Sequence, residues 1–253
     1  MSSNSSLKNK VVCITGGTGL IGSRLADGFA KEGAVVFVGT RFPEKYQKSG
    51  RKIKFAKLDV TDAKSIRQFV ASVIRSQKKI DVWVNSAWPK IEKSTGRLET
   101  VNSDVVAQET LHHLIGYYHC CVEALKCMKK TKKGVIINLG SIYGDLSPDF
   151  RIYKKTEISS PPSYPLIKGG LHTFTKYLAC YAASFNIRVN AVCPGGVLNK
   201  HSRRFQKQYG NRIPLGRMAH PDEIVGPVLF LASDSASYVT GHLLHVDGGL
   251  HAW

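Results

Sequence analysis

The chain has 253 residues, 43% of them hydrophobic, which suits one α/β domain with a full core. Its 36 lysines and arginines outnumber 18 acidic residues and give a formal charge of +18. The basic residues are spread along the whole chain and form no nucleic-acid-binding motif, so we expect a small-molecule substrate rather than a nucleic-acid partner. No apolar run reaches the roughly 18 residues of a membrane span, so we expect no membrane partner.

The N-terminal segment is polar and lacks the apolar stretch of a secretory signal. We predict a flexible tail at residues 1–7, followed by one domain over residues 8–253. The six cysteines show no CxxC or zinc-type spacing, which favours free thiols in a reducing cytoplasm. No metal site is predicted, because the neighbouring histidines at 112, 113 and 119 lack further ligands at suitable spacing.

Strand and helix signals alternate along the chain. Short apolar or β-branched runs predict strands at 10–15, 34–39, 53–58, 80–84, 134–139, 186–192 and 242–246. Helical spacing predicts helices at 20–32, 63–76, 103–130, 163–184 and 222–232, the third interrupted by Gly116. This alternation predicts a single doubly wound Rossmann domain, with a parallel sheet of about seven strands and helices on both faces.

A glycine-rich loop, T15-G-G-T-G-L-I-G22, joins the first strand to the first helix. Its glycines permit a tight turn and close approach of the backbone to a phosphate, and the helix N-terminus favours negative charge. The loop therefore predicts a dinucleotide site, made by Gly16, Thr18, Gly19, Leu20, Ile21 and Gly22.

The end of the second strand bears on the choice of cofactor. Thr40 stands where an acidic residue would bind the ribose 2′-hydroxyl of NAD, and Arg41 follows it. An arginine pairs with a 2′-phosphate, so we predict that NADP(H) is preferred, with NAD possible. After the third strand, Asp59 and Val60 are predicted to contact the cofactor; alternatively, Asp59 caps the helix that begins near Asp62.

Further motifs follow in a characteristic order. They are N85-S-A87, G140-S-I-Y-G144, Y164-P-L-I-K168, R188-V-N-A-V-C-P-G-G196 and V246-D-G-G249. With the glycine-rich loop and D59-V60 they resemble the short-chain dehydrogenase/reductase family over essentially the whole chain. The resemblance implies a Rossmann domain, NAD(P)-dependent hydride transfer and a dimer or tetramer.

The resemblance also implies roles for individual residues. Tyr164 would be the general acid/base, Ser141 would orient the substrate oxygen, and Lys168 would hold the nicotinamide ribose and lower the Tyr164 pKa. Further cofactor contacts would come from Asn85, Ser86, Ala87, Pro194, Gly195 and Val197. The chemistry agrees, because a tyrosine with a pKa near 10 needs a nearby ammonium to act as a base at neutral pH. We predict that this helix begins near Pro162, with Pro165 in its first turn.

Two segments depart from the family pattern. Ser141 and Tyr164 are 23 residues apart, where roughly a dozen is typical of the shorter branch of the family. We predict a substrate loop at about 145–162 and a substrate lid at about 197–215. Both are basic, with Arg151 and Lys154 as candidate substrate residues, which favours an anionic substrate; two solvated loops in a basic protein are the alternative.

Two single residues also depart from the family pattern. His113 stands where the family usually has an asparagine that holds a relay water, and Trp88 stands where a glycine is usual. His113 could relay a proton or only pack, so we count it as a candidate catalytic residue. Trp88 could stack on a substrate ring or narrow the cleft.

The sequence therefore predicts an NADP(H)-dependent oxidoreductase that interconverts a carbonyl and a secondary alcohol on an anionic sugar-type substrate. The stretches 141–150 and 214–224 resemble a subgroup linked to flagellin-glycan and nonulosonic acid biosynthesis. The alternatives are a 3-oxoacyl-type reductase and a cofactor-binding sensor or scaffold without turnover. The apolar C-terminal segment 250–253 supports self-association.

Overall fold

The computed structural model describes residues 6–46, 53–89, 91, 98–156 and 158–253. Most of the predicted N-terminal tail, residues 1–5, lies outside this part of the chain. Leu7, which we placed in the tail, is only 3% exposed and packs in the core. The ordered chain therefore begins before residue 8.

Seven parallel strands form one sheet in the order β3-β2-β1-β4-β5-β6-β7. The strands are β1 (Val11–Thr15), β2 (Val35–Thr40), β3 (Ile53–Lys57), β4 (Val82–Asn85), β5 (Gly134–Leu139), β6 (Ile187–Pro194) and β7 (Leu243–Val246). The central strands β1, β4 and β5 are buried throughout, which explains their continuous apolar sequences. The predicted fold class is confirmed.

Helices cover both faces of the sheet. They are α1 (Leu20–Lys31), α2 (Ala63–Gln77), α3 (Ser103–Thr110), α4 (Gly116–Thr131), α5 (Ser163–Ala183), α6 (Arg203–Gly210) and α7 (Val225–Ala232). One core, around Phe69 and Trp83, lies between the sheet and helices α2, α4 and α5. A second core, around Leu25 and Phe29, lies between the sheet and helices α1 and α7.

The helical region 103–130 is interrupted just before Gly116 rather than at it. Residues Leu111–Ile115 form a π-helical turn between α3 and α4. Gly116 is the first residue of α4, and an added Cβ there would come 2.8 Å from the carbonyl oxygen of Val60. The glycine is therefore required for close packing, and the π turn re-aims the side chain of His113. Such turns are frequent at functional sites.

Helix α5 begins at Ser163, as the two prolines predicted. Pro162 is its N-cap residue, and Pro165 lies in the first turn, where its missing N–H costs no hydrogen bond. The Ser163 hydroxyl donates a hydrogen bond to the buried carboxylate of Glu109 on α3. This start places Tyr164 and Lys168 one turn apart.

Candidate active site

The glycine-rich loop fits the phosphates of a dinucleotide. Gly16 has a φ of +64°, and an added Cβ there would come 2.6 Å from the Cα atom of Ala87. A Cβ at Gly22 would overlap the carbonyl oxygen of Gly16. Gly19 is the N-cap residue of α1 and supplies no side chain to its first-turn amides. A tight loop opening on an uncapped helix N-terminus is suited to bind a pyrophosphate.

The side chains of Ser141, Tyr164 and Lys168 meet at the carboxyl end of the sheet. Ser141 follows β5, and its hydroxyl lies close enough to the phenol of Tyr164 to lower the pKa of that group. The Lys168 ammonium lies 5.7 Å from the centre of the Tyr164 ring. Three groups predicted from separate motifs are thus neighbours, in the crevice where doubly wound proteins bind ligands.

Burial controls the protonation of these groups. Burial raises the pKa of Tyr164, and the hydrogen bond with Ser141 opposes the rise. Burial sets the direction of this shift, and the lowering of the Tyr164 pKa by Lys168 that the resemblance implied stays a prediction. Burial also lowers the pKa of Lys168 to about 8. Its ammonium donates a 2.7 Å hydrogen bond to the carbonyl oxygen of Leu139, which fixes it beside Tyr164.

His113 and Trp88 form one wall of this crevice. Their rings are in contact, with centroids 3.5 Å apart, and the Trp88 ring lies 5.1 Å from that of Tyr164. His113 is 2% exposed, and neither of its ring nitrogens has a hydrogen-bond partner among the described residues. Burial and the charge of Lys168 lower its pKa to about 3. The π turn therefore holds a neutral imidazole beside Lys168.

In the segment that ends β4 and follows it, the backbone contacts β1 and the Asn85 side chain contacts β5. The N–H groups of Ser86 and Ala87 donate to the Thr15 hydroxyl and so tie this segment to β1. The amide of Asn85 is fully buried and donates to Asn138 at 2.9 Å. The side chain of Asn85 therefore points into the core, and the contact of Asn85 with the cofactor stays a prediction for its backbone.

One alternative for the residues near the predicted adenosine end of the cofactor site is wrong. Thr40 is buried, whereas Arg41 is exposed, with its guanidinium carbon 5.8 Å from the centre of the Phe42 ring. Asp59 accepts hydrogen bonds from the backbone and hydroxyl of Thr61. The alternative that Asp59 caps the next helix is wrong, because Asp62 caps it. Val60 is buried against Gly116.

The proline-glycine-glycine segment at 194–196 lies at the end of β6. The Gly195 N–H donates to the carbonyl oxygen of Val246, and Val197 forms a bridge with Ala219. The Gly196 N–H donates to the hydroxyl of Tyr209 at 2.5 Å. The loop is therefore anchored to α6, which lies in the predicted lid.

The predicted substrate loop and lid pack on each other. Ile152, from a 3-10 turn at Phe150–Tyr153, shares a small core with lid residues that are all buried. Those lid residues are Phe205, Tyr209 and Ile213, and Met218, just beyond the lid, completes this core. Arg151 makes a two-pronged pair with Asp149, whereas Lys154 is exposed. Asp149 therefore partly neutralises the charge of Arg151, whereas the charge of Lys154 is exposed to solvent.

Sequence reasoning missed a cluster beneath Ser141. His172 lies one turn beyond Lys168 on α5, and its ring contacts Asp145, which follows the G140-S-I-Y-G144 motif. The i, i+4 spacing from Lys168 was the signal that could have revealed His172. The contribution of Asp145 depends on folding and was not visible in any motif.

Comparison with known proteins agrees with this geometry. A family model described as enoyl-(acyl carrier protein) reductase matches residues 18–251. A 3-oxoacyl-[acyl-carrier-protein] reductase FabG of Thermotoga maritima is 33% identical, over 96% of this chain and 98% of its own. The chain belongs to the short-chain dehydrogenase/reductase family. It is therefore an NAD(P)-dependent oxidoreductase, as predicted.

Two further relatives of this short-chain dehydrogenase/reductase are informative. The post-translational flagellin modification protein A of Campylobacter coli is 28% identical, over 96% of this chain and 98% of its own, in agreement with the predicted subgroup. A short-chain dehydrogenase from Leptospira borgpetersenii serovar Hardjo-bovis, solved with bound NAD+, is 35% identical. The match covers 96% of this chain and 93% of that one, with a TM-score of 0.87.

The described residues contain neither a candidate membrane span nor a candidate metal site. None of the helices there is long and apolar enough to cross a membrane. That part of the chain also contains no group of three or more His, Cys, Asp or Glu side chains placed to hold a metal ion. The candidate site of this oxidoreductase comprises the glycine-rich loop and the crevice around Tyr164.

Proposed function

We propose that this enzyme interconverts a carbonyl and a secondary alcohol on an anionic sugar-type substrate, with NADPH as its preferred cofactor. The observation that carries the proposal is that the side chains of Ser141 and Tyr164 meet at the carboxyl end of the sheet, with the Lys168 ammonium beside them. A crevice with one hydroxyl to orient an oxygen and one to protonate it is suited to carbonyl reduction.

The residues of the chain divide the chemistry among them. Bound NADPH supplies the hydride. Tyr164 donates its phenolic proton to the carbonyl oxygen, and its raised pKa keeps that proton in place at neutral pH. Ser141 donates a hydrogen bond to the same oxygen and so orients it. Lys168 holds the nicotinamide ribose and keeps positive charge beside the phenol that loses its proton.

The preference for NADPH rests on the exposed guanidinium of Arg41. It follows β2, beside the place where the adenosine ribose lies in Rossmann domains, and Thr40 brings no negative charge to that place. A 2′-phosphate would pair with the arginine, whereas NADH offers nothing equivalent.

The anionic substrate rests on the charge of the loop and lid that share a core. Lys154 and Lys155 are exposed on the loop, and their carbonyl groups accept hydrogen bonds from Gln208 and Arg204 on α6. Two basic segments therefore touch each other, and in this proposal their side chains attract a phosphate or carboxylate to the crevice. Trp88 provides a face for a sugar ring.

A 3-oxoacyl substrate is the second candidate, favoured by the similarity to the Thermotoga maritima enzyme. The long loop between Ser141 and Tyr164 argues for the sugar-type substrate instead. We also propose that the protein works in the cytoplasm, where its free cysteines stay reduced.

Self-association would cover exposed aromatic rings. Tyr177 and Tyr181 on α5 stack in solvent with centroids 6.5 Å apart, and Trp253 is 76% exposed. Burying these rings in a dimer or tetramer would remove apolar surface from water. Light scattering should show an oligomer, and a monomer would refute this part of the proposal.

The test is a substrate screen that follows NADPH oxidation. The panel contains oxidised nucleotide sugars, sugar phosphates and sugar acids, together with uncharged ketoses and acetoacetyl-coenzyme A. The acetoacetyl thioester of N-acetylcysteamine is uncharged, so turnover with it would report 3-oxoacyl reduction without any contribution from the phosphates of coenzyme A. We expect turnover with an anionic sugar, lost in Tyr164→Phe while NADPH binding remains. Turnover that survives Tyr164→Phe would refute the assigned acid, and turnover with thioesters alone would favour the second candidate.

A further inference from the structure

A cluster of polar side chains lies directly beneath the turn that carries Ser141. The carboxylate of Asp145 bridges two imidazoles: its Oδ1 is 3.1 Å from Nδ1 of His172, and its Oδ2 is 2.9 Å from Nε2 of His245. These residues come from the loop after β5, from α5 and from β7. None of them has a part in the proton transfer described above, so their convergence needs its own explanation.

The imidazole of His172 is wedged against both sides of the Ser141 turn. A Cβ atom at Gly140 would come 2.6 Å from Nε2 of His172, and one at Gly144 would overlap its Cε1. The ring is 3% exposed and fills space that only these two glycines leave open. A rotation of the ring would therefore displace the backbone on either side of Ser141.

The hydrogen bonds select one tautomer of His172. Its Nε2 lies 3.4 Å from the backbone nitrogen of Ser141 and 3.2 Å from Sγ of Cys193. Both of these neighbours can donate a proton, so Nε2 must accept, and the ring proton must be on Nδ1. The carboxylate of Asp145 lies 3.1 Å from Nδ1 without meeting hydrogen-bond geometry, and its negative charge favours a proton on that nitrogen.

The charges around the cluster keep the imidazole neutral. Burial lowers the pKa of His172, and nearby Lys168 and His245 lower it further, against the opposite effect of Asp145. Burial raises the pKa of the Cys193 thiol to about 12, so this neighbour stays protonated and can donate. A protonated His172 would instead direct a second N–H at the N–H of Ser141.

We propose that His172, oriented by Asp145, is a positioning residue that holds Ser141 in register with Tyr164. The acceptor at Nε2 fixes the backbone of Ser141, and the ring supports the turn from below. Tyr164, Lys168 and His172 occupy successive turns of α5, so one helix face supplies the acid, the ammonium and this support. The proposal rests on the proposed function, because it gives Ser141 its orientation in that reaction.

The tautomer can be measured without any substrate. Nitrogen-15 NMR of the protein should show His172 at pH 7 as the neutral form with its proton on Nδ1. Asp145→Asn should shift His172 toward the Nε2–H form, because an amide accepts a proton less well than a carboxylate. A wild-type ring already protonated on Nε2 would overturn the proposal.

Kinetics separate positioning from simple packing. His172→Gln places an amide oxygen near the former Nε2, whereas His172→Asn reaches only to the former Nδ1. With the best substrate of the panel and NADPH, we expect His172→Asn to lose about 10- to 100-fold in kcat through misplacement of Ser141. The kcat of His172→Gln should be at least about fivefold higher than that of His172→Asn, since its acceptor restores the lost contact. The NADPH Kd should change less than about threefold in both.

The controls keep each outcome decisive. His242→Asn, at an exposed histidine of the segment before β7, should keep full activity. Equal kcat values for the Asn and Gln variants, or losses that follow thermal stability alone, would overturn the proposal. If the His172 variants fail to fold, Asp145→Asn provides the kinetic test, with a drop in kcat expected at constant NADPH affinity. Absence of wild-type turnover across the panel would refute the proposed function, and the tautomer measurement would still decide this proposal.

Discussion

The indole of Trp88 lies against the imidazole of His113, with 3.5 Å between the ring centroids and a tilt of 39°. The pair stands where a glycine and an asparagine are usual in the family. Because the same indole approaches Tyr164 and the Lys168 ammonium, one aromatic side chain links His113 to the catalytic residues. Each member of the pair leads to a prediction.

Trp88→Gly should weaken substrate binding and broaden selectivity. Loss of the indole removes a stacking surface worth about 0.5–1.5 kcal/mol, so we expect KM to rise about 2- to 10-fold for the best sugar substrate. Bulkier carbonyl compounds should gain in kcat/KM. Trp88→Phe, which keeps an aromatic face, serves as the matched control and should stay near wild type. An unchanged KM in the glycine variant would show that Trp88 does not contact the substrate.

His113 should make the protein less stable in acid. Its pKa is about 3 in the folded state and about 6.5 in an unfolded chain, so below pH 6.5 the unfolded state binds a proton that the folded state does not. Unfolding free energy therefore falls as the pH decreases, by about 2 kcal/mol between pH 7 and 5 from this group. His113→Asn should remove that part of the decrease, measured by urea unfolding at both values. Identical pH dependence in the two proteins would contradict the buried neutral state.

Lys168 should make cofactor binding weaker in alkaline solution. Its pKa of about 8 means that it is charged below that pH and loses its proton above it. A charged hydrogen bond to the ribose is worth about 1.5–3 kcal/mol, so we expect the NADPH Kd to rise at least about tenfold between pH 7 and 10. The guanidinium of Lys168→Arg stays charged, so its Kd should be flat over the same range. The measurement is fluorescence titration with NADPH, and a flat wild-type curve would oppose the assigned role.

Arg41 should set the choice between NADPH and NADH. Arg41→Ala removes the guanidinium that we expect at the 2′-phosphate, so the NADPH Kd should rise about 10- to 100-fold while NADH is little affected. Arg67→Ala on α2, an exposed arginine within a helix, controls for a general loss of positive charge. Equal or better turnover of the wild-type enzyme with NADH would refute the preference.

Much of the fold could be predicted because each strand carries its own signal. Apolar, β-branched or alternating runs predicted all seven strands, and the adjacent prolines Pro161 and Pro162 marked the start of α5. The family resemblance of the motifs around Ser141 and Tyr164 implied that these residues act together, although their spacing is unusual. The inward turn of the Asn85 side chain could not be predicted, because it depends on pairing with Asn138 on the neighbouring strand. The Asp145 cluster was missed because it joins three segments that are distant in sequence.

The core shared by the loop and the lid has an evolutionary and engineering consequence. Ile152 packs with Phe205 and Tyr209, so neither segment can bury its apolar side chains without the other. We therefore expect these two sequence-distant segments to change together among relatives. Transplanting residues 145–162 alone into a relative with a short loop would leave apolar side chains such as Ile152 exposed, whereas moving both segments together would preserve their shared core.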